Sequence, residues 1–215
     1  MKLSIVIPFY NEENMIQKMY DALVAEINKI TKAEFEIIFI NDGSKDRTFE
    51  KMLAIADGDS RVKYISFSRN FGKEAGTIAG LEYATGEAVI LMDGDLQHPP
   101  ALLPQMIEAY EQGYDVVSAR RTRTGEKPHR TFLAKHFYRL ANKMMDIELM
   151  DGVSEFRLFS RKAVRAILSL QEYNRFSKGI FSWIGFKEKV IEYENQVRTV
   201  GETKYSLKFS LNYAV

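Results

Sequence analysis

The side chains best suited to chemistry lie in Asp93-Gly94-Asp95-Leu96-Gln97-His98. Two carboxylates one residue apart point the same way from an extended segment. Hard cations such as Mg2+ or Mn2+ take carboxylate and phosphate oxygens and keep several waters. Gly94 between them leaves room for a ligand to approach the backbone. Asp and Gly also dominate solvated turns, so the pair alone is compatible with an ordinary turn. A second cluster, Ile7-Pro8-Phe9-Tyr10-Asn11-Glu12-Glu13, leads through a proline turn into a helix with an acidic start. Asn11 is placed to cap that helix, and Glu12 and Glu13 read equally as complements of its dipole. A third, Asn41-Asp42-Gly43-Ser44-Lys45-Asp46-Arg47-Thr48, ends a strand. There an Asp can accept from a ribose hydroxyl or a base N–H, while Ser44 or Asp46 caps the next helix. A plain strand-to-helix turn explains the same residues.

The elements that must carry these clusters alternate. Apolar runs predict strands at Leu3 to Pro8, Phe35 to Ile40, Val62 to Phe67, Ala88 to Met92 and Asp115 to Ser118. Helical spacing predicts helices at Glu12 to Ile30, Arg47 to Ala56, Lys73 to Ala84 and, after Pro99-Pro100, Leu102 to Glu111. Such repetition predicts an α/β fold with a mostly parallel, doubly wound sheet and helices on both faces. Ligands of such sheets bind at the carboxyl ends of the strands. The polar clusters fall at those ends, after Pro8, Ile40, Phe67, Met92 and Ser118. The second half is less regular. Arg120 to Arg130 reads as a basic loop, Thr131 to Met145 as a helix and Phe156 to Phe159 as a strand. Arg161 to Leu168 reads as a helix, Gly179 to Gly185 as a short aromatic helix or turn, and Lys189 to Val197 as a strand. The tail alternates at Leu207, Phe209, Leu211, Tyr213 and Val215 but also suits a helix face.

Composition narrows the function classes. Thirty Lys and Arg against 29 Asp and Glu give a net charge of +1, which argues against a general nucleic-acid binder. There is no cysteine, hence no disulfide or thiolate metal site. No secretory signal is visible, since the first apolar run is stopped by Pro8. No stretch reaches the roughly 18–20 apolar residues of a membrane span. Any membrane contact is therefore expected to be peripheral or to lie outside this sequence. Arg120, Arg121, Arg123, Lys127, Arg130, Lys135 and Arg139 face a single nearby acid, Glu126. They suit phosphates or anionic head groups, or else a solvated basic face. Phe176, Phe181, Trp183 and Phe186 suit a lipid interface or a subsidiary core. His98, His129 and His136 lack metal-ligand spacing, and no catalytic role is assigned to them.

Taken in order, Val6-Ile7-Pro8-Phe9-Tyr10-Asn11-Glu12-Glu13, Asn41-Asp42-Gly43-Ser44, Phe71-Gly72-Lys73-Glu74-Ala75-Gly76 and Asp93-Gly94-Asp95-Leu96-Gln97-His98-Pro99-Pro100 resemble family 2 glycosyltransferases. Within them the chain resembles the dolichol-phosphate mannose synthase and bactoprenol (undecaprenyl-phosphate) glucosyltransferase branch. The resemblance continues through Phe156-Arg157-Leu158-Phe159-Ser160-Arg161 and Gly201-Glu202-Thr203-Lys204-Tyr205. It implies a single GT-A domain over residues 1–215. Residues 1–119 would hold the nucleotide-sugar, and residues 120–215 would face the acceptor and lead to a membrane-proximal tail.

The resemblance also assigns roles. Pro8, Tyr10, Glu12, Asp42 and Lys73 would hold the donor, with Asp93, Gln97 and Arg120 at its diphosphate and sugar. Asp93 and Asp95 would flank a Mg2+ or Mn2+ ion, Asp95 more directly. Arg120, Arg130, Arg157, Arg198 and Lys204 would meet acceptor phosphate. Glu155 would join Asp93 and Asp95 as a catalytic carboxylate. It departs from relatives with Gly-Asp before Phe-Arg-Leu, since Ser154-Glu155 carries the carboxylate one methylene further out.

The implied reaction is inverting transfer of one sugar, UDP-hexose favoured, to a polyprenyl phosphate. The implied place is the cytoplasmic face of the membrane, with homo-oligomerisation compatible with such a role. Two alternatives stay open: transfer to a protein or glycan acceptor, and a non-catalytic nucleotide-sugar binder. A processive polymer synthase is disfavoured, because Gln171-Glu172-Tyr173-Asn174-Arg175-Phe176 lacks the Gln-x-x-Arg-Trp spacing.

Overall fold

The computed structural model describes residues 1–122, 152–170 and 177–194. The expected helix from Thr131 to Met145, most of the basic loop and the alternating tail lie outside these. Seven strands form one sheet: β1 (Lys2–Phe9), β2 (Glu34–Asn41), β3 (Val62–Ser66), β4 (Ala88–Leu91), β5 (Val116–Arg121), β6 (Val153–Ser160) and β7 (Glu188–Tyr193). Their spatial order is β3-β2-β1-β4-β6-β5-β7. The helices are α1 (Ile16–Ile27), α2 (Thr48–Gly58), α3 (Lys73–Tyr83), α4 (Leu103–Glu111), α5 (Arg161–Ser169) and α6 (Ser177–Trp183), with a 3-10 turn at Pro100–Leu102 before α4.

The sheet is mostly parallel, as the βα repetition predicts. The repetition does not reveal that β6 inserts between β4 and β5 and runs antiparallel to both. Periodicity marks β6 as a strand but carries no information on its partner or direction.

Strands covered on both faces need continuous apolar runs. In β2, Ile37, Ile38, Phe39 and Ile40 are all buried. Alternation splits the core in two. Leu3, Ile5, Ile7 and Phe9 share one layer with Met19 and Leu23 of α1, Met52 of α2 and Met106 of α4. Val6 and Ile38 share the other with Leu81 of α3, Val164 of α5 and Phe181 of α6. Each fully buried aliphatic side chain stabilises by about 1.5–3 kcal/mol.

The first helix starts later than predicted. Met15 and Ile16 donate to the Glu12 carbonyl, and the regular helix begins at Ile16 behind an N-cap, Met15, that makes no side-chain bond. Asn11 does not cap it. Its φ is 50°, and its side chain accepts from Lys45 N at 2.8 Å while its own N–H donates to Ser44 Oγ at 3.0 Å. The neighbouring loop has claimed the side chain that local sequence assigns to its own helix.

The helix that carries Lys73 is held at both ends. A Cβ on Gly80 would lie 2.1 Å from Val6 Cγ1, so glycine lets α3 lie close against β1. Past its C-terminus, Thr85 N donates to Glu36 Oε1 at 2.6 Å. Glu36 is 3% exposed and also takes Ser4 Oγ at 2.5 Å, Lys63 Nζ at 2.9 Å and Lys2 Nζ at 3.2 Å. Burial pushes this carboxyl up, but the bonds from Ser4, Thr85 and Lys63 outweigh it and hold it well below the usual range. At its N-terminus, Gly72 N donates to Asp42 Oδ2 at 3.0 Å.

Candidate functional site

The turns after β1 and β2 interlock at the carboxyl edge of the sheet. Glu12 N donates to Thr48 Oγ1 at 2.8 Å and Glu13 N to Asp46 Oδ2 at 3.1 Å. In return Arg47 N donates to Glu13 Oε2 at 3.0 Å. Glu13 thus accepts beside the start of α2, not at its own helix. Asp46 Oδ1 accepts from Thr48 N at 3.0 Å, but neither Asp46 nor Ser44 is the N-cap of α2: that position is Arg47, whose side chain makes no capping bond.

Asp42 directly follows β2 and is 3% exposed. Its Oδ1 accepts from Phe71 N at 2.7 Å, and its Oδ2 from Asn70 Nδ2 at 2.9 Å and Gly72 N at 3.0 Å. Burial raises its pKa above the ordinary 3.8, and the two backbone bonds only partly oppose that. Asp42 therefore braces the 69–72 loop. This loop and the turns before it enclose a cleft of about 550 Å3 lined by Tyr10, Ser44, Lys45, Phe49, Ser66 and Arg69. The floor is tight: a Cβ on Gly43, whose φ is 63°, would lie 2.2 Å from the Arg69 carbonyl carbon.

Beside the cleft stands the Asp93 cluster. Lys73 Nζ lies 2.6 Å from Asp93 Oδ1, and His98 Nε2 lies 3.3 Å from Asp93 Oδ2. Burial pushes the Asp93 carboxyl up, but the Lys73 charge and the His98 contact outweigh it and hold it well below the usual carboxylate range. Glu155, on β6, lines a small cavity together with Pro8, Lys73, Thr77 and Asp93. The structure thus gathers Pro8, Lys73, Asp93 and Glu155, which lie far apart in sequence. Asp95 is two residues on, with its Oδ1 accepting from Gln97 N at 3.1 Å. The chain turns here through Leu96 at φ 59°, a left-handed conformation uncommon for a bulky residue.

Gly94 has a different reason from the one its sequence suggests. A Cβ there would lie 2.3 Å from Phe9 Cε1. The Phe9 ring, edge-on to Phe39 at 5.2 Å, fills the space beside Gly94 that the sequence assigns to a ligand.

The other assigned cations are scattered. Arg120 is part-exposed and paired with Glu192 across β5 and β7. Arg157 is in the interior, 3% exposed, over the Phe181 ring at 5.2 Å and 3.7 Å from Glu188 Oε1, with its Nη1 lacking a hydrogen bond. Burial pushes its pKa down, against the pull of Glu188 and Glu155. Its guanidinium Nε donates to the Ser154 carbonyl at 3.3 Å, so the side chain is held inside the fold rather than exposed to solvent. Arg130, Arg198 and Lys204 lie outside the described residues.

Sequence reasoning passed over His98 and Tyr193. His98 is 7% exposed, and its Nδ1 lies 2.7 Å from the Tyr193 hydroxyl at the end of β7. Burial pushes the Tyr193 phenol up, so it stays a hydroxyl. A polar residue five positions after Asp93 was the signal available; its burial was not.

Among the described residues, no group of three His, Cys, Asp or Glu is assembled for a metal. The carboxylates present still fit a hard cation of the Mg2+ kind, which uses one or two protein carboxylates and completes its shell with water and substrate phosphate. Asp93 Oδ1 faces Lys73 and Oδ2 faces His98, while Asp95 Oδ1 accepts from Gln97 N two residues on.

Comparison with known proteins gives the family and the fold. The sequence profile of Glycosyl transferase family 2 matches residues 4–168. The chain is 50% identical over 213 residues to the putative glycosyltransferase CsbB of Bacillus subtilis, covering 99% of this chain and 64% of that protein. It is 42% identical over 207 residues to the prophage bactoprenol glucosyl transferase homolog of Escherichia coli, covering 96% and 67%. Among solved structures, the mannosyltransferase PcManGT of Pyrobaculum calidifontis, with GDP-Man and Mn2+, superposes with a TM-score of 0.62 at 17% identity, covering 88% of this chain and 54% of that one. Glucosyl-3-phosphoglycerate synthase of Mycobacterium tuberculosis, with Mn2+, UDP-Glc and phosphoglyceric acid, gives 0.60 at 18% identity, covering 99% and 76%. At these identities the structural likeness establishes the shared GT-A fold.

Proposed function

This chain belongs to glycosyl transferase family 2, and on that premise we propose that it transfers a single sugar, with inversion, from a nucleotide-sugar to a polyprenyl phosphate at a membrane surface. A UDP-hexose is the favoured donor. The observation that carries the reading is the meeting of Lys73, Asp93 and Glu155 around one cavity at the carboxyl edge of the sheet, with Asp95 two residues from Asp93. The name of the Escherichia coli relative, a bactoprenol glucosyl transferase homolog, supports the lipid acceptor, and the chain spans 64% of the length of CsbB.

The nucleoside occupies the cleft between Tyr10 and Arg69, with the Asp42-braced loop as one wall. When bound, Mg2+ or Mn2+ at Asp95 supplies neutralising charge to the departing diphosphate. Lys73 adds a second positive charge at the same end. Asp93 holds that ammonium in place and is itself kept ionised by it. The anomeric carbon develops oxocarbenium character, as in glycoside chemistry. A phosphate oxygen of the acceptor attacks from the opposite face. That phosphate is ionised at neutral pH, so no strong base is needed, and Glu155 orients the incoming group. Alignment and preorganised charge supply most of the rate.

No helix of the described residues is long and apolar enough to cross a membrane. The chain meets its lipid substrate peripherally or through a segment outside this sequence, at the cytoplasmic face.

The test is transfer of labelled hexose from UDP-hexose to polyprenyl phosphate, with wild type and Asp95→Ala. Loss of at least about 100-fold in the variant is expected, in line with removal of a charge-stabilising group. Full transfer by Asp95→Ala, or equal transfer when the lipid phosphate is replaced by a glycan, would overturn the reading.

A further inference from the structure

We propose that His98 and Tyr193 are positioning residues that fix the Asp93 carboxylate and tie edge strand β7 to the diphosphate end of the site. The proposal rests on the donor-site reading above.

The geometry gives the pair a direction. An ionised carboxylate only accepts, so His98 Nε2 must carry the proton it shares with Asp93 Oδ2. The other ring nitrogen, Nδ1, shares a hydrogen bond with the Tyr193 hydroxyl at 2.7 Å. The chain runs Tyr193 hydroxyl to His98 to Asp93. The imidazole is set by packing as well, tilted against Phe156 at 5.9 Å and edge-on to Tyr193 at 6.1 Å between ring centres. Tyr193 is in turn anchored by the sheet: it pairs with Arg121 in register, and its carbonyl accepts from Thr122 N at 2.8 Å.

The consequence falls on Lys73. His98 takes one Asp93 oxygen and Lys73 the other. Without His98 the carboxylate can rotate and offer both oxygens to the ammonium. That turn withdraws the Lys73 charge from the diphosphate and moves the segment bearing Asp95. Outer partners of this kind set the orientation of a charged ligand, and their loss typically costs about 10–100-fold in metal affinity or activity.

The experiment compares His98→Ala, His98→Gln, Tyr193→Phe and the His98→Ala/Tyr193→Phe double variant. Mn2+ binding is measured by calorimetry in the presence of UDP, alongside kcat and donor KM. Tyr193→Phe removes one hydroxyl and retains the ring packing, so it stays informative if His98→Ala fails to fold. Expected are weaker Mn2+ binding and lower kcat, each by about tenfold, with donor KM little changed and partial recovery in His98→Gln, whose amide can reach Asp93. The double variant should match His98→Ala, because both residues act in one chain.

Wild-type Mn2+ binding and kcat in Tyr193→Phe, or additive losses in the double variant, would overturn the proposal. If Asp95→Ala binds Mn2+ with UDP as wild type does, the donor-site reading itself is at fault. Loss in Asp95→Ala beside a wild-type Tyr193→Phe sinks the positioning role alone.

Discussion

Replacing Asp42 separates a brace from a direct nucleotide contact. Asp42→Ala removes the acceptor of three donors: Phe71 N at 2.7 Å, Asn70 Nδ2 at 2.9 Å and Gly72 N at 3.0 Å. In this part-buried setting each orphaned donor costs about 1 kcal/mol, the low end of the usual range. An opposing term exists, because the folded-state pKa of Asp42 lies above 3.8. The fold therefore favours the protonated form. The group's favourable contribution is full below its unfolded pKa and is lost as pH rises through the folded one, so at neutral pH its charge is a cost that alanine removes. The net loss is therefore below about 3 kcal/mol, an upper bound of roughly 6–12 °C in Tm for a chain of this length. With the 69–72 loop loosened, UDP binding should weaken by about tenfold, equivalent to about 1.4 kcal/mol. Asp42→Asn keeps one acceptor oxygen and sheds the charge, so it should melt nearer to wild type and hold UDP nearly as well. Scanning fluorimetry and UDP titration read both quantities. If Asp42→Ala melts with wild type, the brace does not exist. If Asp42→Asn melts with wild type yet loses UDP as fully as Asp42→Ala, the carboxylate meets the nucleotide itself.

Two further perturbations follow from contacts elsewhere. Gly94→Ala places a Cβ 2.3 Å from Cε1 of Phe9, a ring that is 2% exposed and packed edge-on to Phe39. Overpacking should cost about 1–3 kcal/mol, and a shift of about 1 Å in the Asp93 and Asp95 segment should cut transfer by about 100-fold; a variant with wild-type Tm and turnover would contradict the contact. Glu36 is held below its ordinary pKa of 4.5, so its stabilisation is complete above that pH and drains away as pH falls below it. Glu36→Gln should lose about 2–3 kcal/mol at neutral pH and flatten the acid limb of Tm against pH; an unchanged acid limb would show that the network contributes nothing.

The loops that carry the site are interlocked. Asn11, Glu12 and Glu13 are bonded to Ser44, Asp46 and Thr48, so the turns after β1 and β2 move as one unit. Lys73 is placed by α3, which is fixed through Gly72 at one end and Thr85 at the other. A single long side chain thereby gains a defined position, which charge stabilisation in a transition state requires.

Local pattern alone determined much of this molecule. Alternating apolar runs named the first five strands and the helices between them, because a strand buried on both faces and a helix buried on one leave distinct spacings. The carboxyl-edge rule then places Pro8, Asp42 and Asp93 on one rim. Tertiary structure decided what the spacings do not encode. The insertion of β6 brought Glu155 to Asp93 and left Arg157 in the interior, since partner and direction are long-range properties of a strand. Asn11 and Glu13 serve the neighbouring turn rather than their own helix, and Gly94 makes room for Phe9. His98 met Tyr193 only because β7 folds back 95 residues later, and a hydrogen bond across such a distance is fixed by packing, not by the residues on either side of it.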